Sequence, residues 1–122
     1  VQTCALPILA PEQLVGMPAS PASDTYALGV LLFEMFTAQR PHGGASLGEL
    51  LRQVAEVPPL SLATLRPDLP ADVAAAVQQL LARDPAKRPA DLAALARHLD
   101  ALAAALPQRS MKAAGATGRH WP

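Results

Sequence analysis

Cysteine is almost missing from this chain. The 122 residues contain one, Cys4, which excludes an internal disulfide and a cysteine-based metal site. Aromatic side chains make up only 3% of a sequence that is 51% hydrophobic, so any core must be packed from aliphatic residues. An excess of either charge is also lacking. Ten Lys and Arg cancel ten Asp and Glu, so no global field draws the chain to nucleic acid or to an anionic membrane. The main apolar run, Tyr26 to Phe36, is far short of the roughly 20 residues that span a bilayer. No Lys/Arg-led hydrophobic leader opens the sequence, and the expected location is the cytoplasm, with an anchor outside these residues left open. No strand-like segment of useful length occurs, and the only lysines are Lys87 and Lys112.

What remains reads as helices separated by prolines. Ser23 to Pro41 is the organising stretch: Asp24 is a good N-cap, Tyr26 to Phe36 is apolar on nearly every side, and Pro41 stops the run. A helix apolar all round belongs inside a structure. Before it, Pro11 to Val15 can make a helical turn or two, while Gly16, Pro18 and Pro21 keep the rest irregular. After it, His42, Gly43 and Gly44 form a loop without the spacing or lysine of a phosphate cradle, and His42 is expected to be solvated. Ser46 and Glu49 form a capping box, and Leu47, Leu50, Leu51 and Val54 follow on one helical face. Pro58 to Leu69 reads as a surface loop. A helix then starts near Pro70, with Asp72 in its first turn, a buried stripe of Val73, Val77, Leu80 and Leu81, and an end at Asp84 before Pro85. The last helix is expected to begin at Pro89, near the capping side chain of Asp91, and to bury Leu92, Leu95, Leu99, Leu102 and Leu106.

Three motifs in order carry a resemblance. Ala10-Pro11-Glu12 resembles the triplet that closes the activation segment of eukaryotic-type protein kinases. Asp24 with Gly29 five residues later resembles the central helix of their large lobe. Arg83 to Pro89 resembles their late Asp-Pro…Arg-Pro turn. The bacterial serine/threonine branch fits best, from Tyr26 to Met35 and the Arg40-Pro41 that follows. The resemblance covers roughly Leu9 to Leu106 and implies an all-α chain, the helical C-terminal lobe of the protein kinase-like fold, truncated. It also implies that Glu12 and Arg88 form an ion pair pinning the activation segment to the last helices. Asp24 resembles the aspartate that holds the catalytic loop, whose partner would here be absent. Val1 to Ile8 back-translates, codon by codon, into a string resembling the constant end of a common sequencing adapter. Residues 1–8 are therefore read as an assembly scar, 9–106 as a partial kinase domain, and 107–122 as a disordered tail or the start of a linker.

Phosphoryl transfer needs positioned phosphates, metal ions and an aspartate that orients the hydroxyl. The sequence has no Gly-x-Gly-x-x-Gly loop, no Val-Ala-x-Lys strand and no Asp-Phe-Gly. His98-Leu99-Asp100 superficially resembles His-Arg-Asp but lies far downstream of Glu12, within the last helix. No catalytic, cofactor-binding or metal-ligating residue is therefore assigned, and this chain alone is expected to be inactive. ATP and Mg²⁺, protein substrates, a small lobe and a catalytic loop are implied only for an intact parent kinase. The alternative reading is a non-enzymatic helical interaction module. DNA binding through Ser46 to Arg83 has little support, because the basic residues are scattered.

Overall fold

The computed structural model describes residues 8–105. Its longest helix, α1, spans Pro21–Thr37. It starts three residues before the cap expected at Asp24. Ser20 is the N-cap: its Oγ accepts from the Ser23 N–H at 3.2 Å, and Ser23 Oγ accepts from the Ser20 N–H at 2.8 Å. Pro21 sits at the first helical position, where its fixed φ favours the helix and its missing N–H costs nothing. Pro21 thus opens α1 rather than breaking it. Asp24 is exposed one turn in, where a carboxylate still complements the helix dipole.

The C-terminal end of α1 lies at Thr37, before Pro41 is reached. Ala38 turns left-handed at φ 57°, its N–H donating to the Glu34 carbonyl. Thr37 Oγ1 donates back to the Phe33 carbonyl at 2.8 Å. Arg66 Nη1 donates to the Phe36 carbonyl at 2.6 Å, placing a cation where the helix dipole is negative.

Four further helices follow: α2 at Leu47–Glu56, α3 at Leu62–Leu65, α4 at Ala71–Leu80 and α5 at Ala93–Ala105. Among the described residues there is no strand, so the fold is all-α. The core lies where α1 meets α3 and α4, and Tyr26, Phe33, Leu62, Val77 and Leu80 are its fully buried large side chains together with Val73. Gly29 sets how closely α1 and α4 approach. A Cβ there would stand 2.7 Å from Leu80 Cβ, inside van der Waals contact. α1 is nevertheless not buried all round: Leu31 is 49% and Met35 78% exposed, because α3 and α4 cover only one of its sides.

Other expectations are adjusted by local geometry. Ser46 caps α2, accepting from the Glu49 N–H at 3.2 Å, but the Glu49 carboxylate lies 4.0 Å from Arg52. Leu50 and Val54 are buried and Leu51 partly so, whereas Leu47 at the first position of α2 is exposed. The stretch read as a loop contains α3, capped by Ser61, whose Oγ accepts from the Thr64 N–H. The Gln78 side chain brackets its start, accepting from the Leu62 N–H and donating to the Leu60 carbonyl, each at 3.0 Å. The stripe Val73, Val77, Leu80 and Leu81 is buried as periodicity indicates, but α4 ends at Leu80, four residues before Asp84. α5 begins at Ala93, not Pro89, because Asp91 Oδ1 accepts from the Ala93 N–H and fixes the start there. Leu95 is buried, Leu92, Leu99 and Leu102 are half-buried, and Leu106 lies outside the described residues.

Candidate functional site

Two short turns, far apart in sequence, converge on one guanidinium. The first is a 3₁₀ turn at Pro11–Val15. Ala10, itself buried, anchors it, its N–H donating to Gln13 Oε1 at 2.9 Å. Gly16 closes it at φ 94°, a left-handed conformation that glycine adopts without strain. This presents Glu12 toward the second turn. There, Asp84 Oδ1 accepts from the Ala86 N–H at 2.9 Å, and Pro85–Lys87 makes one 3₁₀ turn that leaves Arg88 extended and pointing inward.

The Arg88 side chain is only 1% exposed. Its Nη1 donates to Glu12 Oε2 and its Nη2 to Glu12 Oε1, both at 2.8 Å, the parallel fork that suits a planar guanidinium to a carboxylate. The remaining N–H groups reach backbone carbonyls: Nε to Ala82 at 2.8 Å, Nη1 to Ala22 at 3.0 Å and Nη2 to Arg83 at 3.3 Å. An arginine has five donors, and each of these five bonds uses one. The guanidinium also lies 4.9 Å from the centroid of the Tyr26 ring, within cation–π range. One side chain therefore ties together the Pro11–Val15 turn, the start of α1 and the segment after α4.

Electrostatics follow the geometry. The hydrogen bonds from Arg88 hold the Glu12 carboxyl below its usual range, against the opposing effect of burial. Burial pushes the Tyr26 hydroxyl up to about 12, with the Arg88 charge acting the other way.

Of the residues singled out from sequence, Ala10, Pro11, Glu12 and Arg88 come together here. Asp24 stands apart on the exposed first turn of α1, and Gly29 belongs to the α1–α4 contact. Sequence reasoning missed the Tyr26 ring and the three carbonyls of Ala22, Ala82 and Arg83. Tyr26 is the chain's only tyrosine and could have been suspected, but backbone carbonyls leave no mark in a sequence. It also missed His42, which is buried rather than solvated, with Nε2 2.7 Å from the Val57 carbonyl.

The family model for protein tyrosine and serine/threonine kinases matches residues 2–99. The chain belongs to that kinase family. It is 41% identical over 81 residues to the serine/threonine-protein kinase PknA of Mycobacterium tuberculosis (strain ATCC 25618 / H37Rv), a match covering 66% of this chain and 18% of PknA. It is 40% identical over 91 residues to PknK of Mycobacterium bovis, covering 74% of this chain and 8% of PknK. Against the kinase drp72 of Corynebacterium efficiens it is 36% identical over 99 residues, covering 77% of this chain and 18% of drp72. The kinase chain thus spans less than a fifth of the length of these relatives. Among solved structures it resembles the twitchin kinase region from C. elegans, with a TM-score of 0.63 and 25% identity over 76% of this chain and 16% of that one. The kinase relatives support the kinase-fragment reading over the non-enzymatic helical interaction module.

Kinases of this family work with Mg²⁺ and ATP. In such enzymes Mg²⁺ is held by one or two side chains, an aspartate among them, together with the nucleotide's phosphates and water. Among the described residues no three His, Cys, Asp or Glu side chains gather into a metal site. The carboxylate of this centre, Glu12, has both oxygens committed to Arg88 and does not offer them to a cation. What this arrangement does is mechanical: it fixes one chain segment against another.

Proposed function

We propose that this chain is part of the large lobe of an ATP-dependent serine/threonine protein kinase, and that its share of the work is structural. The observation that carries the reading is the five-bond Arg88 centre, which clamps the Pro11–Val15 turn to the helical core. In a kinase, a segment anchored in this way would present a protein substrate at a fixed place relative to the transferred phosphate. ATP and Mg²⁺ binding, the aspartate that orients the hydroxyl and the small lobe belong to residues outside this chain. The relatives named as serine/threonine kinases support that specificity over tyrosine. Within this reading, residues 1–8 are an assembly scar, 9–106 a partial kinase domain and 107–122 a tail or linker, in a kinase whose catalytic lobes work in the cytoplasm. No helix among the described residues is long and apolar enough to cross a membrane.

Three measurements test it. Calorimetric titration of the 122-residue chain with Mg·ATP is expected to show no saturable binding, and micromolar affinity would overturn the structural role. Long-read sequencing of the locus is expected to join Leu9 to an upstream frame carrying Asp-Phe-Gly, His-Arg-Asp and a glycine loop. The protein from that frame is expected to label serine or threonine of a basic protein substrate. A frame without those motifs, or Val1 to Ile8 recovered from intact genomic DNA, would contradict the parent and the scar respectively.

A further inference from the structure

His42 sits in the connection 38–46 between α1 and α2 and is only 5% exposed. Its Nε2 is 2.7 Å from the carbonyl of Val57, the residue that follows α2. A carbonyl only accepts, so the neutral ring carries its hydrogen on Nε2 and leaves Nδ1 as an acceptor. That Nδ1 is buried with no hydrogen-bond partner among the described residues. A second bond runs beside the first, from the Leu60 N–H to the Pro41 carbonyl at 3.0 Å. Gly44 lies so close to α2 that a Cβ there would be 2.7 Å from the Leu50 nitrogen. The connection is thus closed onto both ends of α2, with the His42 imidazole as a titratable tie.

The surroundings suit a neutral ring. From α1 comes Tyr26, kept uncharged by its burial; from α2 come Leu50 and Val54; from the Pro11–Val15 turn comes Leu14. Arg83 acts on the ring from the segment after α4, and Arg40, which has an interaction of its own, lines the same grooves. Among the described residues lining the two grooves beside His42 there is no carboxylate.

We infer that His42 is a pH-sensitive latch, tying the 38–46 connection to the end of α2 while neutral and releasing it once protonated. Protonation puts a hydrogen on Nδ1 where no acceptor among the described residues meets it, and adds a positive charge to a buried place within reach of the Arg83 charge. The bond to Val57 would survive or strengthen, so the release comes from the cost of the buried charge. Burial holds the imidazole below its ordinary range; the Val57 bond opposes this and the Arg83 charge adds to it. The closed form therefore binds its proton at lower pH than the open form. Closure is complete above about 6.5 and weakens as the pH falls from there toward the ring's own lower value.

The test is amide exchange of the 122-residue chain, read at the Leu60 N–H and corrected for intrinsic rate, between pH 7.5 and 4.5. A nitrogen-15 titration of the three histidine rings accompanies it. His42 is identified by its contacts with Leu50 and Val54. Leu60 protection is expected to fall about tenfold for each pH unit by which the His42 midpoint lies under 6.5. In His42→Gln, whose amide can donate to Val57 at every pH, that step should vanish. A His42 midpoint at or above 6.5, Leu60 protection that ignores pH, or a step retained in His42→Gln would each overturn the latch. Should His42→Gln not fold, the ring titration of the unaltered chain decides alone.

Discussion

Replacing Arg88 with alanine removes a group that touches all three segments around it. The Glu12 carboxylate loses both its partners at 2.8 Å, and the Ala22, Ala82 and Arg83 carbonyls lose their donors in the same stroke. Breaking a buried ion pair by deleting one member costs about 3–5 kcal/mol, because the other charge is left without compensation. The Arg88 side chain is 1% exposed and that of Glu12 12%, so solvent screening relieves little of this. Against a net domain stability of about 5–15 kcal/mol, the loss is a large fraction. For a domain near 100 residues each kcal/mol is worth about 4–8 °C, so the melting point should fall by about 12 °C or more. Thermal and urea unfolding followed by helical circular dichroism measure the melting point and the free energy, with Arg88→Ala, Glu12→Ala and the double variant side by side. Arg88→Lys keeps the charge but not the fork, and is expected to lie between wild type and Arg88→Ala. The double variant should be no worse than the more damaging single one, since the two side chains act as a unit. Single variants that each move stability by under about 0.5 kcal/mol, as ordinary surface changes do, would refute the reasoning.

Three further outcomes are expected. Because the folded Glu12 carboxyl sits below its unfolded value near 4.5, its contribution is intact above that pH and lost as the pH falls through the lower folded value; Glu12→Gln should flatten this part of the acid unfolding curve. Tyr26, the only tyrosine, should ionise near pH 12 by ultraviolet absorbance, and stability should decline as the pH rises from 10 toward that value, a decline missing from Tyr26→Phe. Gly29→Ala gains up to about 1 kcal/mol in helix propensity but forces its Cβ against Leu80 at 2.7 Å, an overpacking that costs about 1–3 kcal/mol, so thermal melting should show net destabilisation.

Much of the architecture was legible in the linear chain, because it rests on local rules. The order and approximate extent of α1, α2, α4 and α5 follow from apolar spacing and from prolines that interrupt it. The stripe Val73, Val77, Leu80 and Leu81 is buried because periodicity near 3.6 puts it on one face, whatever that face meets. Helix starts were less legible. Ser20 outcompetes Asp24 because Pro21 already prepares the turn between them, and Asp91 delays α5 to Ala93 by holding its amide. α3 is a single turn, too short for any period, and is held by Ser61 and by a glutamine 16 residues away from Leu62.

The chemistry of the Arg88 site divides along the same line. Pro11 next to Glu12 and Pro85 before Arg88 determine that each charge follows or begins a tight turn, and those are sequence facts. That the two turns meet across 76 residues, that Arg88 is buried, and that three carbonyls complete its bonding were decided by tertiary packing, which sets the first turn against α2 and the second against α1. His42 shows the same limit from the other side. Flanked by Pro41 and two glycines it reads as an exposed loop residue, yet it is buried because α2 folds back and places the Val57 carbonyl against its ring. Local sequence governs φ, ψ and which face is apolar; the desolvation of a charge or an imidazole depends on what arrives from distant segments, and no local pattern encodes that.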